Sequence, residues 1–335
     1  MTRRNRQFRL AARPVGLPKD TDWEITEEEV REPAEGEVVV GIEYISLDPA
    51  MRGWMNEGRS YIAPVGIGEV MRAGGVGHVV ESRDPRLPVG TAVQGTLGVQ
   101  EYAVIEGRHL MPVDESVAPL PAHLGVVGMP GLTAYFGLLD IGRPEAGQTV
   151  VVSGAAGAVG QVVGQIARIK GCRVVGIAGG PEKCAHVTDE LGFDACIDYK
   201  AGNVAGALRE ACPDRIDVYF DNVGGEILDA ALSRLHRGAR VVLCGAISQY
   251  NATERPVGPR NYMALLVDRA SMTGFVVFDF ASRYAEGVTQ LGEWVKDGRI
   301  KHREDILTGF ENFPEALLRL FRGENLGKQV LQVAD

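Results

Sequence analysis

Seven residues constrain this chain more than any others. Gly154-Ala155-Ala156-Gly157-Ala158-Val159-Gly160 sits between the apolar run "QTVVVS" and a stretch with helical periodicity. The spacing is GxxGxxG, a variant of the GxGxxG fingerprint. Glycine permits a tight turn and lets a backbone come close to a pyrophosphate. The helix that follows offers unpaired N–H groups and the positive end of its dipole. Val159, Val162, Val163, Ile166 and Ile169 share one helical face, and "CRVVGIAG" reads as a second strand. Glycine runs also occur in plain βα turns. The order strand, turn, helix, strand is what points to a nucleotide seat, with Gly157, Ala158, Val159 and Gly160 against the cofactor.

The same grammar continues downstream. "PEKCAHVTDELG" reads as a helix, with Pro181 in its first turn and Gly192 just past its end. "ACIDY", "RIDVYFDNVGG" and "ARVVLCGAIS" read as three more strands, with a sixth near "ASMTGFVVFDF". Strands alternating with helices predict an α/β fold with a doubly wound parallel sheet. Residues before about 120 differ. "EGEVVVGIEYISLDP", "GGVGHVVES" and "EYAVIEG" are short, β-branched and broken by Gly and Pro, as in a small antiparallel barrel or sandwich. The C-terminal "FENFPEALLRLFRGENLGKQVLQV" reads as a helix and then a strand that return to this first domain. The expected division is 1–125 with 301–335, and 126–300.

The end of the second strand bears on cofactor choice. An NAD site places Asp or Glu there to hold the ribose 2′-hydroxyl. Here Ala178, Gly179 and Gly180 stand instead, and Lys183 follows. No acid opposes a 2′-phosphate, and the lysine can pair with it. NADPH is therefore expected over NADH, the alternative for Lys183 being a solvated helix lysine. Asn222 ends a strand at the edge where cofactors lie.

Composition excludes several classes. A net charge of −9 over 335 residues argues against a nucleic-acid surface. No apolar run reaches 18 residues, so no membrane helix is expected. "MTRRNRQFRL" lacks the apolar core of a signal peptide and is expected to be a solvated tail leading into a first strand, with an amphipathic anchor as the alternative. Cys172, Cys184, Cys196, Cys212 and Cys244 form no CxxC pair, which predicts free thiols and a cytoplasmic location. The first domain has no cysteine, and His78, His109 and His123 are widely separated, so no metal is expected. No GxSxG elbow and no Tyr-x-x-x-Lys pair occurs.

Taken together, "GMPGLTAYFGLLDIG", "GAAGAVGQVVGQIARIKGCRVVGIAGGPEK", "LGFDACIDYK", "DNVGG", "CGAIS" and "NLGK" resemble the zinc-independent medium-chain dehydrogenase/reductases. Within them the chain is similar to the prostaglandin reductase branch, with leukotriene B4 12-hydroxydehydrogenase, plant alkenal double-bond reductases and bacterial NADP-dependent relatives. The resemblance covers about residues 6 to 333. It implies a Rossmann domain and a discontinuous GroES-like β-rich catalytic domain. It also implies NADP(H), metal-free reduction of the C=C bond of enals and enones, and a homodimer paired through edge strands, for which "SMTGFVVFDF" has the right character. The implied cofactor contacts are Ala158 to Gly160, Lys183, Tyr199, Asn222, Cys244, Gly245, Ala246, Ile247, Ser248, Tyr250, Phe275, Val276, Val277 and Asn325. Tyr199 can lend its hydroxyl to the phosphate or be a core tyrosine. Asn325 can hold a carboxamide or cap a turn. One departure is Ala50 in "SLDPAMRGWM", where several relatives carry an aromatic residue; it is expected to open the substrate pocket or remove a hydrogen bond. Arg52 keeps the motif's cation in a structural or pocket-lining role. Ser46 stands near the place of a cysteine ligand in zinc-dependent cousins.

Hydride arriving at the β carbon of an enone puts negative charge on the carbonyl oxygen. Tyr250, protonated at neutral pH, is the expected donor to that oxygen. A cofactor ribose hydroxyl is the alternative, with Tyr250 then only covering the nicotinamide. Tyr262 is a weaker candidate. The rival readings are a quinone reductase, a zinc alcohol dehydrogenase and a non-catalytic NADPH-binding sensor.

Overall fold

Phe8 and Leu10 alternate with arginines near the N-terminus, and the segment is a strand rather than a tail. The computed structural model describes residues 3–333, so Met1 and Thr2 lie outside the described residues. β1 (Arg4–Leu10) pairs antiparallel with β2 (Trp23–Glu29). Charge complementarity holds the pair: Arg4 meets Glu27 at 2.6 Å and Arg9 meets Glu28 at 2.8 Å. Phe8 packs on an apolar floor, 5.1 Å from the Phe310 ring and 5.0 Å from Phe313. The expectation of a solvated tail is corrected. The acidic partner is the next strand along the chain, and the apolar floor of Phe310 and Phe313 lies far along it, so neither is read from the segment itself.

The chain continues through β3 (Glu37–Ser46), α1 (Ala50–Trp54), β4 (Gly74–Ser82), β5 (Ala92–Thr96), β6 (Tyr102–Glu106) and β7 (Met111–Pro112). It then passes α2 (Met129–Phe136), β8 (Thr149–Ser153), α3 (Ala158–Ile169), β9 (Arg173–Ala178), α4 (Pro181–Ala185) and β10 (Ala195–Asp198). Next come α5 (Val204–Ala211), β11 (Ile216–Asp221), α6 (Gly225–Leu232), β12 (Leu235–Leu243), α7 (Ala264–Val267), β13 (Ser271–Gly274) and α8 (Tyr284–Lys296). It closes with β14 (Glu304–Thr308), α9 (Phe313–Arg322) and β15 (Lys328–Gln332).

Two compact units result. One holds the residues up to Leu124 and those from Glu304 onward; the other is Gly125–Arg303. In the first, strands run in the order β14-β15-β3-β4-β5-β7, with β6 on β3. β15 pairs antiparallel with β3, Val330 opposite Ser46, which stitches the C-terminal segment into the N-terminal sheet. Met51, Met55, Phe310, Phe313 and Leu317 fill the core beside the strands.

In the second unit all six strands are parallel, in the order β10-β9-β8-β11-β12-β13. Numbered from β8, that is 3-2-1-4-5-6, the Rossmann order, which reverses direction between β8 and β11. Val150, Val151, Val152, Val174 and Val175 are fully buried, as a sheet covered on both faces requires. α3 is enclosed on more than its valine face. Gln165 is buried and clamps Lys301 twice, its Nε2 donating to the carbonyl and its Oε1 accepting from the amide, each at 2.8 Å. The sixth strand is shorter than "SMTGFVVFDF" suggests. It ends at Gly274, where the Phe275 ring turns in toward Phe220 and Phe280 and the chain winds into a 3₁₀ segment from Val277.

Candidate cofactor site

Because the six strands are parallel, Ser153, Ala178, Asp198, Asp221, Leu243 and Gly274 end at one edge of the sheet. The glycine turn leaves β8 there. Gly154 has φ +62°, and α3 starts at Ala158 with Gly157 as its N-cap. A Cβ on Gly160 would stand 2.2 Å from the Gly154 carbonyl oxygen. Only glycine lets the first turn of α3 fold this close to the loop. The arrangement leaves the helix N-terminus at the strand edge, where free amides can receive an anion.

Across the reversal point, the Asp221 carboxylate organises the neighbouring turn. It is buried, and its Oδ1 accepts from Ser153 Oγ and Tyr219 Oη, each at 2.9 Å, and from the Val223 and Gly224 amides at 3.1 and 3.0 Å. Its own carbonyl accepts from the Cys244 and Gly245 amides. Asn222 Nδ2 donates to the Ser153 carbonyl at 2.7 Å, tying β11 to β8. The "DNVGG" turn then packs hard on "CGAIS". A Cβ on Gly224 would meet Ala246 Cβ at 3.0 Å, and one on Gly225 would meet Ser248 Oγ at 3.0 Å. Ser248 Oγ donates to the Val223 carbonyl, and the Ile247 amide donates to Asn222. A cleft of about 400 Å³ opens beside these turns, lined by Cys244 to Ala246, Gln249, Tyr250 and Pro256 to Pro259. Burial first, and Asp221 second, push the Cys244 thiol up to about 12, so it is a neutral wall rather than a nucleophile. Asp221, Ser153, Gly224 and Gly225 were not singled out in the sequence. The only signals were the acid just before Asn222 and the paired glycines.

At the other flank, the Tyr199 ring covers Gly179: a Cβ there would lie 2.8 Å from the ring edge and 2.9 Å from the hydroxyl. Tyr199 is 40% exposed, which removes the core-tyrosine alternative. The Gly180 amide donates to Asp198 Oδ1 at 2.7 Å, so the acid at this edge is already engaged by backbone. Lys183 is half-buried in the first turn of α4, which packs on β9 and β10. Gly179, Lys183 and Tyr199 are thus carried by adjoining elements.

Tyr250 is half-buried, and its hydroxyl oxygen accepts from the Ala246 amide at 3.1 Å. Its position shapes the Cys244–Ser248 turn. The Phe275 ring packs against Phe220 and Phe280, and Phe275, Val276 and Val277 are all half-buried just past the strand end. Tyr262 is 57% exposed on the segment before α7. Asn325 belongs to the other unit. There its Nδ2 donates to the Gly327 carbonyl at 2.9 Å, the turn-capping alternative.

In that first unit Ala50 opens α1. Arg52 is buried, donating to the Gly16 and Pro14 carbonyls at 3.1 and 3.0 Å and to Asn56 Oδ1 at 2.6 Å. It braces a loop, the structural role anticipated. Ser46 Oγ donates to Asp48 Oδ2 at 2.5 Å, and fully buried Lys328 donates to Asp48 Oδ1 at 3.0 Å and to the Leu47 carbonyl at 2.6 Å. Among the described residues, no three His, Cys, Asp or Glu side chains converge as a metal site. No helix among them is long and apolar enough to cross a membrane.

Comparison with known proteins agrees with this architecture. Residues 6–113 match the family model "N-terminal domain of oxidoreductase", and residues 158–293 match "Zinc-binding dehydrogenase". The chain is 46% identical to NADPH-dependent curcumin reductase of Escherichia coli, over 99% of this chain and 97% of that one. It is 40% identical to the NADP(+)-dependent 2-alkenal reductase of Nicotiana tabacum, over 98% of both. The crystal structure of CurA from Vibrio vulnificus in complex with NADPH superposes with a TM-score of 0.93 at 46% identity, covering 98% of this chain and 99% of that one. The chain belongs to the medium-chain dehydrogenase/reductase family, in the branch that holds the curcumin, 2-alkenal and prostaglandin reductases.

Proposed function

We propose that this protein reduces the C=C bond of α,β-unsaturated aldehydes or ketones with NADPH. The observation that carries the reading is the built edge of the second unit: a glycine turn folded onto α3, with Gly179, Tyr199 and Lys183 beside it in place of an acid. The relatives named for curcumin and 2-alkenal reduction support the substrate class. Bound NADPH supplies a hydride. The chain's own residues bind and orient. The amides at the start of α3 face the pyrophosphate, Lys183 and the Tyr199 hydroxyl hold the 2′-phosphate, and the Asp221-centred turns fix the floor beside the nicotinamide. The Tyr250 phenol donates to the carbonyl oxygen as charge builds there.

The reaction runs without a metal in this reading. Asp48, beside Ser46, is already engaged by the buried Lys328 amino group at 3.0 Å. The working form is a homodimer paired along β13, an edge strand with exposed Leu266 and Val267 on the helix just before it. Five free thiols fit a reducing, cytoplasmic setting. NADPH consumption with a trans-2-alkenal, a cyclic enone and a quinone, each with and without a chelator, tests the proposal. A saturated carbonyl product formed equally in both conditions is expected; an alcohol product, or loss of rate on chelation, contradicts it.

A further inference from the structure

Lys328 opens β15 with a side chain only 1% exposed. Its Nζ donates to the Leu47 carbonyl at 2.6 Å and to Asp48 Oδ1 at 3.0 Å. The next residue on the strand completes the grip, the Leu47 amide donating to the Gln329 carbonyl at 3.2 Å. Both main-chain groups of Leu47 are therefore taken by the returning strand. Asp48 Oδ2 accepts from Ser46 Oγ at 2.5 Å, and the Asp48 carbonyl accepts from the Met51 amide at 3.0 Å in the first turn of α1. α1 has five residues and no side-chain bond at its N-cap, Pro49. A helix this short does not hold its own place. It is held from outside, by the Leu47–Asp48 turn at its start and by Arg52, whose guanidinium reaches the Pro14 and Gly16 carbonyls. Burial pushes the Lys328 amino group below its ordinary value, and Asp48 acts against that shift. For stability alone an apolar side chain would serve as well or better at so enclosed a position. What the amine adds is direction, because it ties one carbonyl and one carboxylate into a single arrangement.

We propose that Lys328 is a positioning residue for the reaction: by clamping Leu47 and Asp48 it sets where α1, and with it Ala50, stands against the substrate. Ala50 is the first residue of α1. Pro49 lies between it and Asp48 with φ −56°, a ring-restricted joint that passes a shift of the turn on to Ala50. Lys328 is sealed from solvent, so it acts through the turn and not on the substrate itself. Without the amine the Leu47 carbonyl loses its donor and Asp48 loses its tie to β15, and Ala50 is no longer held in one place. A pocket wall that moves weakens the ground state and the transition state alike, so its loss shows in KM rather than kcat. The proposal rests on the reading that an enone or enal is reduced in a pocket bordered by Ala50.

The test compares wild type with Lys328→Met, Asp48→Ala, Asp48→Asn and Ala50→Trp, measuring Tm, NADPH Kd, amide hydrogen exchange, and kcat and KM for a trans-2-alkenal. Lys328→Met is expected to raise the alkenal KM roughly tenfold, the scale of one lost contact. Its kcat and NADPH Kd change little, and the Met51 amide exchanges faster. Asp48→Ala should act in the same direction, and Asp48→Asn, which still offers Lys328 an acceptor, should recover most of the loss. A Lys328→Met protein with a lower Tm and an unaltered KM overturns the proposal, as does one in which kcat, KM and NADPH Kd all deteriorate together. If Lys328→Met does not fold, the Asp48 pair decides: a KM unmoved by Asp48→Ala, or not recovered by Asp48→Asn, overturns it. Ala50→Trp reports on the pocket separately. If it shifts KM while Lys328→Met does not, the positioning role fails and the pocket stands. If it leaves KM unaltered, the pocket reading fails and the positioning role with it. No turnover of the alkenal by wild type overturns the enone reading itself, and this role falls with it.

Discussion

At Gly179 one absent side chain bears on which cofactor the second strand accepts. A Cβ there would lie 2.8 Å from the Tyr199 ring, so a side chain at 179 requires that partly exposed ring to move. Lys183→Ala is expected to raise the NADPH Kd about tenfold and leave NADH unaffected, as removal of one phosphate-directed charge should. Fluorescence titration of both cofactors checks this, and equal losses for the two would contradict it. Tyr250→Phe removes the hydroxyl that receives the Ala246 amide. Turnover should fall roughly a hundredfold, the scale of one lost oxyanion donor, with NADPH affinity little changed. Unaltered turnover would leave Tyr250 as a brace of the Cys244–Ser248 turn. At this scale the sequence exposed glycines and lysines at characteristic places. It did not expose Asp221, whose partners on β8, β11 and the following turn only the folded sheet assembles, nor the Lys328–Asp48 pair, whose members are 280 residues apart.

Elements differ in how far they could be read locally. β8, α3 and β9 announce themselves, because valine runs, a glycine turn and a helical apolar face are local signals. β1 does not, because its stability comes from glutamates on β2 and phenylalanines near α9. β13 was over-extended, because Phe275 looks strand-like yet packs sideways. Gly160→Ala tests the turn between β8 and α3. Its Cβ meets rigid backbone, so the unfolding free energy should fall by roughly 3 kcal/mol, read by urea denaturation; a change below about 0.5 kcal/mol would contradict the packing. On the β3–β4 pair, His78 Nδ1 lies 2.5 Å from Glu43 and its Nε2 lies 3.3 Å from Glu115. The hydrogen bond to Glu43, with help from Glu115, raises the imidazole above its ordinary value. That stabilisation is complete below the unfolded value of about 6.5 and is lost as pH rises through the folded one. With all three side chains partly exposed, it is worth no more than about 0.5 kcal/mol. His78→Ala should lower the Tm at pH 5.5 and scarcely at pH 9; equal drops at both would contradict the assignment.

Over the whole molecule, a parallel sheet in Rossmann order and a β-rich unit completed by its own C-terminal strand are joined in one chain. The return of the last segment was legible because "NLGKQVLQV" follows a helix and reads as a strand. Pairing between copies belongs to this scale. Light scattering should give twice the 36.0 kDa chain mass, and Val267→Asp should shift the protein toward monomer; a monomeric wild type would contradict pairing along β13.

The central claim is hydride delivery to a carbon–carbon double bond. The measurement that tests it most directly is turnover of an enone with NADPH deuterated at the transferable C4 position, followed by NMR of the product. The account predicts a saturated ketone with deuterium on the β carbon. Deuterium on the carbonyl carbon of an allylic alcohol would contradict it.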